Sequence, residues 1–134
     1  MYLTLATWCL MTGYSAINEA TGQDTTRRSI RRILEYQVHA KGHETLLAER
    51  TYNPMGWLIE EAEYDESGKL KQRIAYEYDA RGLKIRETTF DADGRVVEVR
   101  AYEYDASGNR IRRTVTDGAG RIKSQKRMVY EYHQ

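Results

Sequence analysis

Polar and less polar side chains alternate along most of the chain, with aromatic residues at fixed places in the pattern. Segment 69–78, KLKQRIAYEY, places Leu70, Ile74, Tyr76 and Tyr78 at alternate positions. An alternation of period two predicts a β-strand whose two faces differ in polarity. Neighbouring segments repeat this pattern and are rich in Val, Ile, Thr and Tyr, which favour strands. The pattern therefore predicts an all-β chain.

The alternating segments predict eight strands joined by short turns. The strands lie near residues 28–38, 44–52, 57–64, 69–78, 83–90, 95–104, 109–116 and 121–132. Residues 24–36 also fit a helix capped by Asp24. We favour a strand there, because the Leu-Glu-Tyr at 34–36 aligns with the later Tyr-Glu-Tyr phrases.

Seven glycines separate the predicted strands at regular intervals. Their spacings alternate between 14 and 12 residues and define a unit of 26: Gly42, Gly56, Gly68, Gly82, Gly94, Gly108 and Gly120. An aromatic residue stands four positions before five of these glycines. Asp or Asn follows that aromatic each time, as in Tyr78-Asp79 and Tyr104-Asp105. Such a fixed period is typical of a repeat architecture.

The phrase aromatic-Asp-x-x-Gly is explained by a hairpin turn. An Asp side chain at the start of a type I turn accepts a backbone N–H two residues on. Glycine then adopts the left-handed conformation, which costs other residues about 1–2 kcal/mol. Repetition of this turn predicts an open, twisted or curled antiparallel β-meander in which each strand pairs with its sequence neighbours. The residues expected at one rim are Tyr52, Tyr78 and Tyr104, and those at the other are Tyr64, Phe90 and Thr116.

These phrases resemble those of the YD-repeat family, also called the Rhs-repeat family. The similar stretches are YEYDARG at 76–82, FDADGR at 90–95, YEYDASGNR at 102–110 and DGAGR at 117–121. In that family, tandem repeats form long spiralling β-sheets, which close into shells in large bacterial toxins and animal adhesion proteins. The resemblance implies a strip of such a sheet here. We expect it to cover the repeat region only, without a toxin domain or a self-cleaving region.

The N-terminal residues differ from the rest of the chain. Residues 1–17 carry no charge, which fits either a secretory signal lacking its basic start or a segment covering an apolar edge of the sheet. This stretch is too short for a comfortable membrane span. We therefore divide the chain into a signal-like or edge-covering segment, 1–26, and a repeat-sheet domain, 27–134.

Composition and motifs argue against several classes of function. A net charge of +1 gives no general attraction to nucleic acid. The single cysteine, Cys9, forms neither an intramolecular disulfide nor a cysteine-based zinc site. His39 and His43 flank the first turn without predictable partners, and DADG at 91–94 lacks the length and final Glu of a calcium loop. We expect no enzyme activity, no cofactor and no metal.

Tyrosines and a basic cluster are the best candidates for ligand contact. Aromatic rings on an exposed sheet face stack on sugars and make good protein contacts. Between residues 109 and 127, seven Lys and Arg residues stand against one acid, which suits an anionic ligand. The candidate binding residues are Tyr76, Tyr78, Tyr102, Tyr104, Tyr130, Arg112, Arg113 and Lys126.

Structural roles compete with these binding roles. The rings could form the core of the sheet or lie under the N-terminal segment. The basic residues could protect the edges of the sheet from pairing with other chains, because charged edge strands discourage aggregation. The sequence leaves both alternatives open.

The sequence thus predicts a non-catalytic β-repeat module with a binding or structural role at the bacterial cell envelope. The alternative is an orphan fragment or accessory component of an Rhs-type toxin system that pairs with another protein by sheet-edge addition. We expect a glycan or protein partner, and the oligomeric state stays open. The expected location is secreted, periplasmic or at the cell surface, with the cytoplasm as the alternative.

Overall fold

A computed structural model describes residues 29–133 as one open antiparallel sheet of eight strands. The strands follow one another across the sheet in sequence order. Their bounds are β1 Arg32–Val38, β2 Glu44–Tyr52, β3 Leu58–Tyr64, β4 Leu70–Tyr78, β5 Lys84–Asp91, β6 Val96–Tyr104, β7 Arg110–Asp117 and β8 Ile122–Arg127. No helix occurs among the described residues, so the all-β prediction is confirmed. The predicted segment 1–26 lies outside them.

Each hairpin turn is closed by backbone hydrogen bonds and, from the second turn onward, also by the side chain that begins it. After β3, the amide of Gly68 donates to the carbonyl of Asp65, and the amide of Asp65 donates to the carbonyl of Lys69, both at 2.8 Å. Asp65 Oδ1 accepts hydrogen bonds from the amides of Ser67 (2.9 Å) and Lys69 (3.0 Å). The Ser67 hydroxyl and these amides lower the pKa of Asp65. The same pair of amide bonds is accepted by Asn53, Asp79, Asp91 and Asp117.

The turn glycines have the conformation that the sequence predicts. All seven have φ angles between +76° and +86°, and no other residue in 29–133 has a positive φ. In the five turns that begin with aspartate, the aspartate and the glycine together therefore fix the geometry.

An extra residue interrupts the strand ladder in every hairpin. Opposite Glu77, for example, β5 has two residues, Ile85 and Arg86, before pairing resumes between Tyr78 and Lys84. A bulge of this kind shifts the pairing by one residue and so decides which side chains share a face. The equivalent extra residues are Leu47, Ile59, Lys71, Val97, Ile111 and Lys123.

The described sheet is a single layer with little buried side-chain surface. The strands contact only their sequence neighbours, so no second layer packs on either face within residues 29–133. The buried residues of this range are Thr45, Ala48, Ala62, Tyr102 and Val115. Both outer strands are exposed along their whole length. Amphipathic rings and the aliphatic stems of Arg and Lys shield much of the remaining sheet surface.

The two outer strands are shorter than predicted, whereas the inner strands begin and end within about one residue of the predicted positions. β1 begins at Arg32 rather than residue 28, because its partner β2 ends at Tyr52. β8 ends at Arg127 rather than residue 132, because β7 begins at Arg110 and offers few further partners. One more backbone bond extends this pairing, from the amide of Met128 to the carbonyl of Ile111 (3.0 Å).

No helix within residues 29–133 has the length and apolar character needed to cross a membrane.

Candidate functional site: the tyrosine face

The pairing of the strands gathers most of the predicted binding residues on one face. Cross-strand partners share a face, and successive residues of a strand alternate between faces. The face defined by Tyr76 and Tyr78 of β4 and by Tyr102 and Tyr104 of β6 is called the tyrosine face. It also carries Arg113 of β7, paired with Tyr102, and Lys126 of β8, paired with Arg113.

Arg112 is separated from the other candidate residues. It neighbours Arg113 in sequence and therefore projects from the opposite face of β7. There its Nη1 forms an ion pair with Glu103 at 3.1 Å. The basic cluster that the sequence predicts as one patch is thus divided between two faces.

Three tyrosine hydroxyls bond to the backbone at one rim of the sheet. Those of Tyr78 and Tyr104 donate to the carbonyls of Leu58 (2.8 Å) and Lys84 (2.7 Å). Tyr130, just beyond β8, makes the equivalent bond to the carbonyl of Arg110 (2.8 Å). These hydroxyls are therefore engaged within the protein, and only the ring surfaces remain for a ligand.

Cations cover part of the ring surface. Lys84 Nζ lies 5.1 Å from the centre of the Tyr76 ring, and Arg110 Cζ lies 4.4 Å from the centre of the Tyr102 ring. Such contacts favour the charged form of the side chain and hold the ring in place. Tyr102 is buried, whereas Tyr130 is 44% exposed. The rings are most accessible toward the β8 end of the sheet.

A row of glutamates crosses the same face. Arg50 bonds to Glu35 at 2.9 Å and to Glu61 at 2.8 Å, and the hydroxyl of Tyr76 donates to Glu61 at 3.2 Å. Further along the row, Glu87 forms an ion pair with Lys84 and another with Arg100 (3.3 Å). The row therefore alternates acids with cations and hydroxyls from β1 to β6.

The electrostatics of this row favour binding over proton transfer. Burial would raise the pKa of Glu87, but its bonds to Lys84 and Tyr102 and the charge of Arg100 lower it below its usual value. Burial raises the pKa of Tyr76 and Tyr102, and the nearby glutamates raise it further. The carboxylate thus stays ionised and the two hydroxyls stay protonated near neutral pH, so neither type of group is poised as an acid or base.

At one rim, side chains from neighbouring turns pack on each other. The Trp57 ring lies 5.3 Å from the Tyr78 ring, measured between centres, and covers Gly82 of the next turn on that rim. Leu83 takes the equivalent place beside Gly108. These contacts fix the ends of the tyrosine-bearing strands.

Other features of the described sheet offer weaker sites. A hollow of about 530 Å³ at the β1 edge is lined mainly by apolar groups, including Ile30, Ile33 and Met55, and has no charged side chain. The rings of His39 and His43 stack with centres 5.5 Å apart, and His39 Nε2 lies 3.1 Å from Thr45 Oγ1. Within residues 29–133, no group of three His, Cys, Asp or Glu residues is placed to hold a metal ion.

The residues that surround the tyrosines were not predicted from the sequence. Lys84 and Arg110 each stand two positions after a turn glycine, a spacing that marks them in hindsight. The 26-residue interval between Glu61 and Glu87 is a similar signal. Without the bulges, however, the sequence does not show that these charges lie on the tyrosine face.

Comparison with known proteins gives little further information. No family model and no curated protein matches the chain. The chain is similar to part of a GtfA/B complex bound to UDP and GlcNAc, at 14% identity and a TM-score of 0.30, over 75% of this chain and 21% of that one. It is also similar to a protein of unknown function from Bacteroides fragilis NCTC 9343, at 11% identity and a TM-score of 0.27, over 73% of this chain and 92% of that one. Scores this low carry no argument about function.

Proposed function

We propose that the sheet is a non-catalytic binding module whose ligand lies across the tyrosine face. The observation that carries this proposal is the gathering of Tyr76, Tyr78, Tyr102, Tyr104, Arg113 and Lys126 on one face that no second layer covers within residues 29–133. These residues extend from β4 to β8, so the face suits an extended ligand better than a small compact one.

The chemistry of this face favours a saccharide chain as the ligand. Ring surfaces held by hydroxyl and cation contacts are rigid, and rigid aromatic surfaces lose little conformational entropy on binding. The ionised groups beside the rings offer hydrogen bonds to hydroxyl groups of sugars. A protein partner that uses the same face is the alternative ligand.

The resemblance to YD repeats belongs to this proposal. Aromatic-Asp-x-x-Gly turns that join the strands of one continuous sheet are what that family's pattern implies for residues 52–132. A role at the bacterial cell envelope, after secretion, agrees with a face that binds saccharides. Both assignments rest on the sequence phrases quoted above.

Glycan-array binding with face-specific variants tests the proposal. The double variant Tyr104→Ala/Tyr130→Ala removes two rings at the β8 end of the tyrosine face and is expected to abolish binding of any glycan that the wild type retains. Tyr64→Ala, on the opposite face, is the matched control and is expected to bind normally. Equal losses in both variants, or no glycan bound by the wild type, would contradict the proposal.

A second candidate function uses the edges of the sheet. β1 and β8 are exposed along their length, and no strand pairs with their outer edges within residues 29–133. Unpaired backbone groups of this kind accept an added strand from another protein. An accessory component of an Rhs-type toxin system would use them in this way. Variants that block one edge, such as Gln125→Pro, separate this function from binding on the tyrosine face.

A further inference from the structure

Arg113 occupies a place on the tyrosine face where earlier odd-numbered strands carry glutamate. Glu35, Glu61 and Glu87 lie on β1, β3 and β5 at intervals of 26 residues, and Arg113 follows on β7 at the same interval. Each glutamate bonds to a cation, as described above. The arginine therefore reverses the charge at one point of a repeated row.

The reversal places two cations side by side. Arg113 pairs directly with Lys126, so the two side chains are nearest neighbours on the same face. Like charges at opposite positions of two strands destabilise a sheet. Their neighbours Arg100, Arg112 and Lys123 all form ion pairs with glutamates.

Within the described residues, no acid forms an ion pair with Arg113 or Lys126. Neither Arg113 nor Lys126 has a carboxylate oxygen within 4.0 Å in residues 29–133. In addition, the Nε atom of Arg113 is buried without a hydrogen-bond partner. An unsatisfied buried donor is a further cost to the folded state. Folding stability therefore does not explain an arginine at this position.

A third cation adjoins the pair. Arg110 is exposed, has no ion-pair partner within residues 29–133, and holds its Cζ 4.4 Å from the centre of the Tyr102 ring. Tyr102 in turn is the direct strand partner of Arg113. Arg110 and Arg113 thus neighbour one buried ring, and Lys126 lies beside Arg113 on the outer strand, at the end of the face where Tyr130 is exposed.

We infer that Arg113, Lys126 and Arg110 form a subsite for an oxyanion carried by the bound saccharide, such as a sulfate ester. A guanidinium binds such a group with two parallel N–H bonds, and the ammonium of Lys126 adds a point charge. The anion relieves the repulsion between the cations, so binding and stability are linked. This inference rests on the proposed function, because the exposed rings hold the sugar backbone that carries the anion.

The decisive experiment compares two variants with the same change in charge on adjacent residues. Arg113→Glu restores the glutamate of the earlier strands. It gives Lys126 an acidic strand partner, just as Glu87 is the acidic strand partner of Arg100. Arg112→Glu makes the same charge change on the opposite face, where residue 112 lies between Glu103 of β6 and Arg127 of β8. The probes are dextran sulfate and neutral dextran of equal length, with affinity measured by calorimetry over a range of salt concentrations.

The two variants are expected to differ in affinity. Arg113→Glu should bind dextran sulfate at least ~10-fold more weakly, a loss of about 1.4 kcal/mol in binding free energy, while keeping or raising the melting temperature. Arg112→Glu should bind dextran sulfate with wild-type affinity, because residue 112 lies on the opposite face. Arg113→Gln, which removes the charge without adding an acid, should also lose affinity. Wild-type binding should weaken as salt rises, because the attraction is ionic.

Four results overturn the inference. Equal losses of affinity in Arg113→Glu and Arg112→Glu would mean that only net charge matters. Unchanged affinity in Arg113→Glu would exclude the subsite. If the wild type binds neutral dextran as tightly as dextran sulfate, and Tyr104→Ala/Tyr130→Ala loses this binding, the proposed function stands but the subsite does not. If the wild type binds no saccharide on the array, both the proposed function and the subsite are excluded.

Discussion

The hydroxyl of Tyr104, the last residue of β6, lies 2.7 Å from the carbonyl oxygen of Lys84, the first residue of β5. The carbonyl precedes the bulged residue Ile85, where the strand ladder is irregular. Tyr78 and Tyr130 make the same kind of bond next to the bulged residues Ile59 and Ile111. These hydroxyls therefore satisfy acceptors beside irregular points of the ladder, where strand pairing alone leaves backbone groups unpaired.

Removal of this hydroxyl is expected to destabilise the sheet without changing the ring. Tyr104→Phe should lower the free energy of unfolding by about 1 kcal/mol, because a part-buried carbonyl loses its hydrogen bond. Tyr64→Phe is the control, since the Tyr64 hydroxyl makes no hydrogen bond within residues 29–133, and it should be nearly neutral. Urea denaturation measures both values. Equal effects would mean that the hydroxyl bond contributes nothing specific.

Two turn glycines separate conformational cost from steric cost. Gly82 and Gly94 have almost the same φ, +82° and +81°, but a Cβ atom at Gly82 would lie 2.8 Å from the Trp57 ring, whereas one at Gly94 meets nothing within 4 Å. Gly94→Ala should therefore cost about 1 kcal/mol through the positive φ. Gly82→Ala should cost more, because the indole must also move.

A double-mutant cycle checks the steric part. In a Trp57→Ala background, Gly82→Ala should cost no more than Gly94→Ala, because the clashing ring is gone. If Gly82→Ala and Gly94→Ala cost the same in the wild-type background, Trp57 does not constrain the turn.

Because aspartates in the turns accept hydrogen bonds in their ionised form, we expect the folded sheet to lose stability in acid. The amide of Leu83 and the bonds to Arg81 lower the pKa of Asp79 in the folded protein. A group whose folded pKa is depressed contributes stability above its unfolded pKa, about 3.9, and this contribution is lost as the pH falls through the folded value. The melting temperature should therefore fall as the pH drops below about 4.

Asp79→Asn isolates one of these groups. The amide oxygen of Asn still accepts the two backbone bonds, as Asn53 does in the first turn of this kind, but it does not titrate. At pH 7 the variant should melt close to the wild type, and between pH 5 and pH 3 its melting temperature should fall less. Asp79→Ala, which removes the acceptor, should melt lower than either protein at pH 7. An identical acid profile for wild type and Asp79→Asn would contradict the linkage.

The direction of backbone groups in β8 predicts which positions tolerate proline. The amide of Met128 bonds to β7, so by alternation the amides of Ser124 and Lys126 face β7 and those of Gln125 and Arg127 face the open edge. Gln125→Pro should fold with a nearly unchanged melting temperature, because no ladder bond is lost. Ser124→Pro should melt clearly lower. The reverse order would show that the edge of β8 is not the free one.

The sequence predicted the strands and turns because local chemistry determines them. Asp79 and Gly82 lie within one turn, and their spacing alone specifies it. The bulges were not predicted, because the seven extra residues, five branched aliphatic and two lysine, are of the same types as the regular strand residues beside them. For that reason the contacts of Lys84 and Arg110 with the rings were missed. Strand alternation alone predicts that Arg112 and Arg113 lie on opposite faces. The early end of β8, by contrast, depends on where β7 begins and is not visible in the sequence of β8 itself.

The backbone of every strand pairs only with the strands next to it in sequence, so the contacts between strands stay within neighbouring hairpins. The stability of the sheet is then close to a sum of terms for individual hairpins and the interfaces between them, as in one-dimensional repeat proteins. Low contact order also favours rapid folding from any central hairpin, followed by growth in both directions. Backbone amides should accordingly exchange with solvent in a gradient, slowest in β4 and β5 and fastest in β1 and β8, so that the two outer strands open without unfolding the middle of the sheet.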